Sequence, residues 1–153
     1  MYRKGPIALI FNNRHELLVV NLVSFKDEEE KFFTMPGGGL EDGETLIESV
    51  YREIKEEVGI DKRRLELAGS SSTPIVYNFK TKWVLQDGRE YLGQEKYYFG
   101  FRFIGDDKDI TPQQEEVRSY KWVSVENLKE YLLFENQLED TLKKITEIFG
   151  APN

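Results

Sequence analysis

The chain has 153 residues, a length typical of one domain with a sizeable core, and we expect residues 1–153 to form a single domain. Its 28 acidic and 21 basic residues give a net charge of −7, which argues against general binding to duplex nucleic acid. The absence of cysteine excludes disulfides and thiolate metal sites and fits a cytoplasmic protein. No stretch approaches the roughly 18 apolar residues of a membrane span.

Apolar runs separated by turn residues predict a mixture of strands and helices. The predicted strands are, in chain order, 7–11, 17–25, 32–35, 65–68, 73–79, 82–86, 90–104 and 119–123. The first two strands form a hairpin, and the Asp87-Gly88 turn pairs 82–86 with 90–104. The predicted helices are 45–58, 125–132 and 135–149. This order indicates an α+β fold or an α/β sandwich, in which the last helix packs on the sheet or on a second subunit.

A glycine-rich segment precedes an acidic helix between residues 38 and 60. On a helix, Glu53, Glu56 and Glu57 fall within about 100° of arc, so their side chains can converge. Three carboxylates this close repel one another unless a cation lies among them. Ligands that are all oxygen suit a hard ion such as Mg²⁺ or Mn²⁺. The alternative is an acidic helix face exposed to solvent.

The spacing of this segment resembles the signature of the Nudix hydrolase family, G-x5-E-x7-R-E-U-x-E-E-x-G-U, where U is a bulky aliphatic residue. Every fixed position matches, at Gly38, Glu44, Arg52, Glu53, Ile54, Glu56, Glu57, Gly59 and Ile60. The resemblance implies an α/β/α sandwich, the Nudix fold, and metal-dependent cleavage of a nucleoside diphosphate linked to another group. It also implies that Glu53, Glu56 and Glu57 bind the Mg²⁺ or Mn²⁺, and that Arg52 and Glu44 orient them.

The general base is a separate question, because in this family it belongs either to the signature or to a later loop. Glu115 and Glu116 lie in such a loop, and we favour Glu116 as base and as a fourth metal ligand. The alternative is that both are ordinary loop acids. The sole histidine, His15, lies in a predicted turn, so a Ser-His-Asp or Cys-His mechanism is excluded.

Short pieces outside the signature resemble the branch of the family that cleaves dinucleoside polyphosphates and removes pyrophosphate from RNA 5′ ends. These pieces are Tyr2-Arg3, the 93–99 strand, Glu116 ahead of Trp122, and Tyr77. The chain departs from that branch at Gly37, where a glutamine usually follows the loop proline. The favoured substrate is therefore a dinucleoside polyphosphate or 5′-triphosphate RNA. The alternatives are MutT-like cleavage of nucleoside triphosphates, cleavage of ADP-ribose or nucleotide sugars, and a non-catalytic module that senses nucleotides.

Residues 74–103 contain five basic and three acidic residues, interleaved with aromatic residues that include Tyr77, Phe79 and Trp83. Aromatic rings stack on bases, and basic side chains contact phosphates. The alternative is that the aromatic residues are core, which suits Phe99, Phe101 and Phe103 best. We expect the substrate, a small nucleotide or an RNA 5′ end, to contact Arg3, Gly37, Gly38, Gly39, Tyr77, Lys80 and Lys96.

Overall fold

The computed structural model describes residues 1–150 of the chain. The strands are β1 (Tyr2–Phe11), β2 (Glu16–Leu22), β3 (Leu65–Ser70), β4 (Ile75–Val84), β5 (Glu90–Phe103) and β6 (Val117–Ser124). The α-helices are α1 (Leu46–Val58) and α2 (Gln137–Phe149). Short 3₁₀ turns occupy Asp27–Glu29, Lys62–Arg64, Asp107–Asp109 and Val125–Glu130. The predicted α+β class is confirmed.

The six strands form one mixed sheet in the order β3-β5-β1-β2-β6, and β4 also pairs with β5. Strands β1 and β5 are parallel and pair along their length, from Tyr2 opposite Gly93 to Phe11 opposite Arg102. The other pairs are antiparallel. The second edge of β5 is shared, because its C-terminal half pairs with β3 and its N-terminal half with β4.

Each face of the sheet carries its own apolar core, as expected when side chains alternate along buried strands. One core packs against α1 and includes Ala8, Ile10, Leu18, Val20, Val50, Ile54, Val58, Phe99, Phe101 and Phe103. The other packs against α2 and includes Leu9, Leu17, Val19, Tyr98, Val123, Leu128 and Ile145. The α/β/α sandwich is therefore confirmed, and Phe99, Phe101 and Phe103 are core residues.

Local sequence determines where α1 begins and ends. The Thr45 hydroxyl accepts a hydrogen bond from the Glu48 amide, and the Glu48 carboxylate accepts one from the Thr45 amide, which makes a capping box. Gly59 ends the helix at φ 68°, a left-handed conformation that glycine adopts without strain. Neither α1 nor α2, nor any other helix between residues 1 and 150, is long and apolar enough to cross a membrane.

Strands β1 and β2 are joined at Phe11 and Leu17 and then diverge, and the segment 34–40 occupies the gap between them. Thr34 exchanges two backbone hydrogen bonds with Val20 of β2. Further along the segment, the Ala8 amide donates to the Pro36 carbonyl (2.8 Å) and the Leu40 amide donates to the Lys4 carbonyl (3.0 Å). The glycine-rich segment is therefore held between two central strands.

The structure differs from the predicted strands in three places. The predicted strand 32–35 is wrong, because this part of the chain forms only an isolated bridge at Thr34. The first strand begins at Tyr2, since β5 supplies a parallel partner for residues that are polar in sequence. The separate strands predicted at 73–79 and 82–86 are one strand, β4, with an irregularity between Asn78 and Trp83.

We predict that Gly59→Ala lowers the free energy of unfolding by about 2–4 kcal/mol, as measured by chemical denaturation. A Cβ atom at Gly59 would lie 2.6 Å from the Thr111 carbonyl oxygen, in addition to the strain of the positive φ. The matched control is Gly88→Ala, where φ is 88° and no atom lies within 4 Å of the added Cβ. This control should cost only about 1 kcal/mol. Equal costs at the two positions would contradict the contribution of the Thr111 contact.

Candidate active site

The three glycines of the segment 37–39 lie where a side chain would collide with a neighbour. A Cβ atom at Gly37 would lie 2.5 Å from the Pro6 carbonyl oxygen. At Gly38 it would overlap the Glu53 carboxylate, and at Gly39 it would overlap the Arg3 guanidinium. The glycines therefore allow the backbone to approach α1 and β1 closely and bring Glu53 and Arg3 to the same segment.

Arg52 is the centre of an ion-pair network on α1. Its Nε and Nη2 atoms donate to the two Glu44 oxygens at 2.7 and 2.9 Å, in the bidentate geometry that a guanidinium favours. Its Nη1 atom donates to Glu53 at 2.9 Å and to Glu56 at 3.1 Å. Nη2 also donates to the Gly39 carbonyl at 2.9 Å. Arg52 therefore holds three carboxylates and the glycine-rich segment in one arrangement.

Glu57 is different, because it is a buried carboxylate without a cation in hydrogen-bonding contact. Its side chain is only 5% exposed, and Oε2 accepts one hydrogen bond from the Gly37 amide at 3.1 Å. Burial raises the pKa of the Glu57 carboxyl to about 8, and the nearby charges of Glu53 and Glu116 act in the same direction. Burial also raises the pKa of Glu53, against the effect of Arg52.

The loop that precedes β6 is anchored to the C-terminal end of α1 and brings Glu116 towards the same carboxylates. The Gln113 amide donates to the Glu57 carbonyl at 2.9 Å, and the Thr111 amide donates to the Val58 carbonyl at 2.7 Å. Glu116 is exposed, and its charge acts on both Glu53 and Glu57. A cleft open to solvent lies beside it, lined by Glu56, Gln113, Glu115 and Glu116 among other residues.

Two cations, Lys96 and Arg3, also lie against the glycine-rich segment. The Lys96 amine donates to the Gly38 carbonyl at 2.8 Å. Burial lowers the pKa of Lys96 to about 8, and the neighbouring charge of Arg3 acts in the same direction, while Glu53 and Glu57 oppose it. The segment 37–39 is thus in contact with both carboxylates and basic side chains.

Two of the predicted substrate-binding residues do not join this cluster. Tyr77 is half-buried on the face of the sheet that α2 covers, and its hydroxyl lies 2.9 Å from that of Tyr98. Burial raises the pKa of Tyr77 to about 12. Lys80 is exposed in the irregular part of β4. The sequence could not separate them from Lys96, because the irregularity of β4 changes which side chains share a face.

The carboxylates are not arranged as a finished metal site. In the part of the chain that the structure describes, no three His, Asp or Glu side chains form a group close enough to hold an ion. The geometry explains this result, because Arg52 binds one oxygen of Glu53 and one of Glu56, while Glu57 is turned to the Gly37 amide. An ion bound by these residues would require a rearrangement of side chains.

Two aromatic residues close to the cluster were not among the predicted site residues. The rings of Phe79 and Trp83 stack with centroids 4.6 Å apart and an interplanar angle of 20°. The Arg3 guanidinium lies 5.9 Å from the centre of the Trp83 ring. The spacing of four residues, which places both side chains on one face of a regular strand, was the available sequence signal.

Comparison with known proteins identifies the family. A family model described as the NUDIX domain matches residues 1–145. The chain is 29% identical over 154 residues to an RNA pyrophosphohydrolase of Pelagibacter ubique (strain HTCC1062), with 97% of this chain and 94% of the relative covered. It is 31% identical over 137 residues to an RNA pyrophosphohydrolase of Zymomonas mobilis subsp. mobilis, with 86% of this chain and 85% of the relative covered.

Among solved structures, a C. elegans Ap4A hydrolase in a binary complex has the same fold. The TM-score is 0.71 at 19% identity, and the match covers 96% of this chain and 97% of that chain. At this identity the likeness concerns the fold.

We predict that the metal-free protein becomes less stable as the pH rises from about 4.5 to 8. In this range the folded protein retains a Glu57 proton that the unfolded chain, with the ordinary pKa of 4.5, has released. Because the folded state binds more protons, the free energy of unfolding falls with pH, by up to roughly 1.4 kcal/mol per pH unit. Chemical denaturation in the presence of EDTA measures this slope.

The matched variants for this measurement are Glu57→Gln and Glu66→Gln. The first removes the buried carboxyl and should flatten the slope, whereas the second changes an exposed carboxylate on β3 and should leave it. A slope that is unchanged in Glu57→Gln would mean that another group is responsible.

Proposed function

Because the chain belongs to the Nudix family, we propose that it is a metal-dependent pyrophosphohydrolase that acts on dinucleoside polyphosphates or on 5′-triphosphate RNA. The observation that carries the proposal is that Glu53 and Glu57 lie against the glycine-rich segment within reach of the charge of Glu116. Lys96 and Arg3 lie against the same segment. Relatives named RNA pyrophosphohydrolase match over most of their length and support the substrate class.

The residues at the site fit a divalent cation. Their donors are all carboxylate oxygens, which suit Mg²⁺ or Mn²⁺. Glu57 is buried beside two other acids and has a raised pKa, and a cation nearby would favour its ionised form. We propose that Glu53, Glu56, Glu57 and Glu116 hold the ion. When bound, the ion supplies neutralisation of phosphate charge and activation of a water molecule.

Arg52 and Glu44 position the carboxylates in this proposal. The guanidinium is held by both Glu44 oxygens, so that its Nη1 atom points at Glu53 and Glu56. Arg52 has a raised pKa because of its hydrogen bonds to Glu44, and therefore remains charged. It limits the repulsion between the acids and fixes their separation. Lysine could not replace it, since an ammonium group lacks the planar fork.

The substrate is held by basic side chains in this proposal. Lys96 and Arg3 provide positive charge for the phosphates. Because residue 39 is a glycine, the Arg3 guanidinium can lie directly against the backbone there. Glu116 is exposed and faces the same carboxylates, so it can accept a proton from the attacking water at the cleft. We propose that Glu116 is the general base.

Phosphate and nucleotide release from a panel of substrates tests the proposed function. The panel contains diadenosine tetraphosphate, 5′-triphosphate RNA, nucleoside triphosphates and ADP-ribose, each with Mg²⁺ and with EDTA. We predict Mg²⁺-dependent cleavage of diadenosine tetraphosphate, of 5′-triphosphate RNA, or of both. In Glu57→Gln, kcat should fall by at least about 100-fold, because the substitution removes one charge of the proposed ion site. Cleavage confined to single nucleotides or ADP-ribose would contradict the substrate, and turnover like the wild type in Glu57→Gln would contradict the ion site.

We predict that Glu116→Gln lowers kcat by about 10²–10⁴-fold and changes KM little, because a base acts in the transition state rather than in substrate binding. Glu115→Gln, at the neighbouring exposed position of the same loop, is the matched control and should retain kcat. Similar kinetics for the two variants would return Glu116 to the role of an ordinary loop acid.

A further inference from the structure

The β4–β5 hairpin carries two stacked aromatic side chains, Phe79 and Trp83, that the proposed catalytic chemistry does not use. We infer that Phe79 and Trp83, together with Arg3, form a stacking platform for an unpaired nucleobase attached to the polyphosphate that the enzyme cleaves. This inference deepens the proposed function and rests on it. The base belongs either to the far nucleoside of a dinucleoside polyphosphate or to a nucleotide of an RNA 5′ end.

The shape of the platform suits a flat aromatic ligand. Phe79 and Trp83 are nearly parallel, at 20° and 4.6 Å between centroids. Phe79 is half-buried, whereas 45% of the Trp83 surface is still exposed after stacking. The Arg3 guanidinium near the Trp83 ring adds a cation to the same surface. Bases stack on such rings whatever their identity, because every base has a π-face.

The backbone of β4 is irregular where it presents these rings. Asn78 lies opposite Gly93 and Trp83 opposite Tyr91, so residues 79–82 have only Leu92 across from them. In a regular antiparallel pair, the same number of residues lies between two pairs on each strand, whereas here β4 has three more than β5. Irregularities of this kind change the direction of side chains. The N-terminus of β1 is fastened beside it, since the Tyr2 hydroxyl donates to Asn78 at 2.7 Å. This contact places Arg3 next to Trp83.

The platform is continuous with the candidate active site. Arg3 lies against Gly39, where an added Cβ would overlap its guanidinium. The Gly39 carbonyl accepts a hydrogen bond from Arg52 at 2.9 Å, and Arg52 in turn binds Glu53. One chain of contacts therefore leads from the Trp83 ring to the carboxylates. A ligand whose phosphates lie at the carboxylates can reach the ring with an attached base.

The charge around the platform is complementary to a phosphate-linked ligand. Two cations of the hairpin are neutralised by partners, since Lys82 pairs with Glu90 and Arg89 pairs with Asp87. Arg3 and Lys80 have no ion-pair partner among residues 1–150. Arg3 lies by the Trp83 ring, and Lys80 follows Phe79 along β4 and is exposed, so both are candidates to contact a phosphate that precedes the base.

Packing alone does not account for the stacked pair. Phe79 and Trp83 belong to neither of the two core clusters, and the neighbouring Val84 is 62% exposed. The hairpin thus directs apolar rings to solvent in a strand that also carries Lys80 and Lys82. A nucleotide with an unpaired base offers an apolar face to the rings and a charged phosphate to Arg3 and Lys80, which an apolar protein partner does not.

Steady-state kinetics of Trp83→Ala tests the platform. We expect KM to rise about tenfold and kcat to stay within about twofold, because the ring contacts a base rather than the reacting phosphates. Diadenosine tetraphosphate and 5′-triphosphate RNA are measured separately, and the substrate whose KM rises identifies the source of the base. Trp83→Phe retains a ring and should keep KM within about threefold. The matched control Val84→Ala truncates the next residue of the strand, which is more exposed than Trp83, and should match the wild type.

An unchanged KM for both substrates in Trp83→Ala would overturn the inference, as would an equal rise of KM in Val84→Ala.

Tryptophan fluorescence provides a second measurement that needs no turnover. The chain has two tryptophans, and Trp122 stacks on Phe103 in the core next to α1, so Trp83→Phe leaves Trp122 as a reference.

The ligands are analogues of diadenosine tetraphosphate and of a 5′-triphosphate trinucleotide in which methylene groups replace the bridging oxygens. With Mg²⁺ present, titration with these ligands should quench the tryptophan fluorescence of the wild type but not that of Trp83→Phe. Equal quenching of both proteins would overturn the platform. If the substrate panel shows no cleavage of either substrate, the proposed function fails, while this titration still decides whether a base stacks on Trp83.

Discussion

The site depends on one feature of the backbone, the insertion of the segment 34–40 between β1 and β2. The two strands share a single registered pair, Phe11 with Leu17, and the inserted segment satisfies the backbone groups that each would otherwise leave unpaired in the gap. Because the segment is held on both sides, its glycines are fixed relative to the sheet. The Gly37 amide then fixes Glu57, and the Gly39 carbonyl fixes Arg52.

The arrangement concentrates negative charge and balances only part of it. Arg52 compensates Glu44, Glu53 and Glu56 through hydrogen bonds, whereas Glu57 receives a single backbone amide. A buried carboxyl with a pKa of about 8 favours its neutral form at physiological pH. Such a group costs stability in the absence of a cation, which is typical of sites that are organised for binding rather than for folding.

Local sequence signals were sufficient for α1 and for part of the core that packs on it. The Thr45 cap, the apolar face of α1 and the left-handed Gly59 act over a few residues, so the helix and its row of glutamates could be predicted from the chain alone. The alternation of Phe99, Phe101 and Phe103 likewise gave the face of β5 that packs on α1. The segment 32–35 was wrongly predicted as a strand, because its composition is typical of strands but it pairs with β2 only at Thr34.

The surroundings of β4 could not be predicted for a different reason. Four residues of this strand face one residue of β5, and a local excess of this kind has no consistent sequence period. Tyr77, before the irregularity, therefore lies beside Tyr98 on the α2 face, whereas Trp83, after it, is exposed beside Arg3. Residues that looked equivalent in the sequence have separate environments.

The charged network around Arg52 and the β4–β5 hairpin are separate parts of the site, and this has a consequence for substrate choice. The carboxylates, Arg52 and the glycine-rich segment can recognise only what all polyphosphates share, which is charge and spacing. Discrimination between substrates requires contacts to the groups attached to the phosphates. In this chain the stacked rings of the β4–β5 hairpin are an aromatic surface, partly exposed to solvent, that contacts link to the carboxylates through Arg3 and the glycine-rich segment. Selectivity for the attached group can therefore change through the hairpin without disturbing the network that Arg52 holds together.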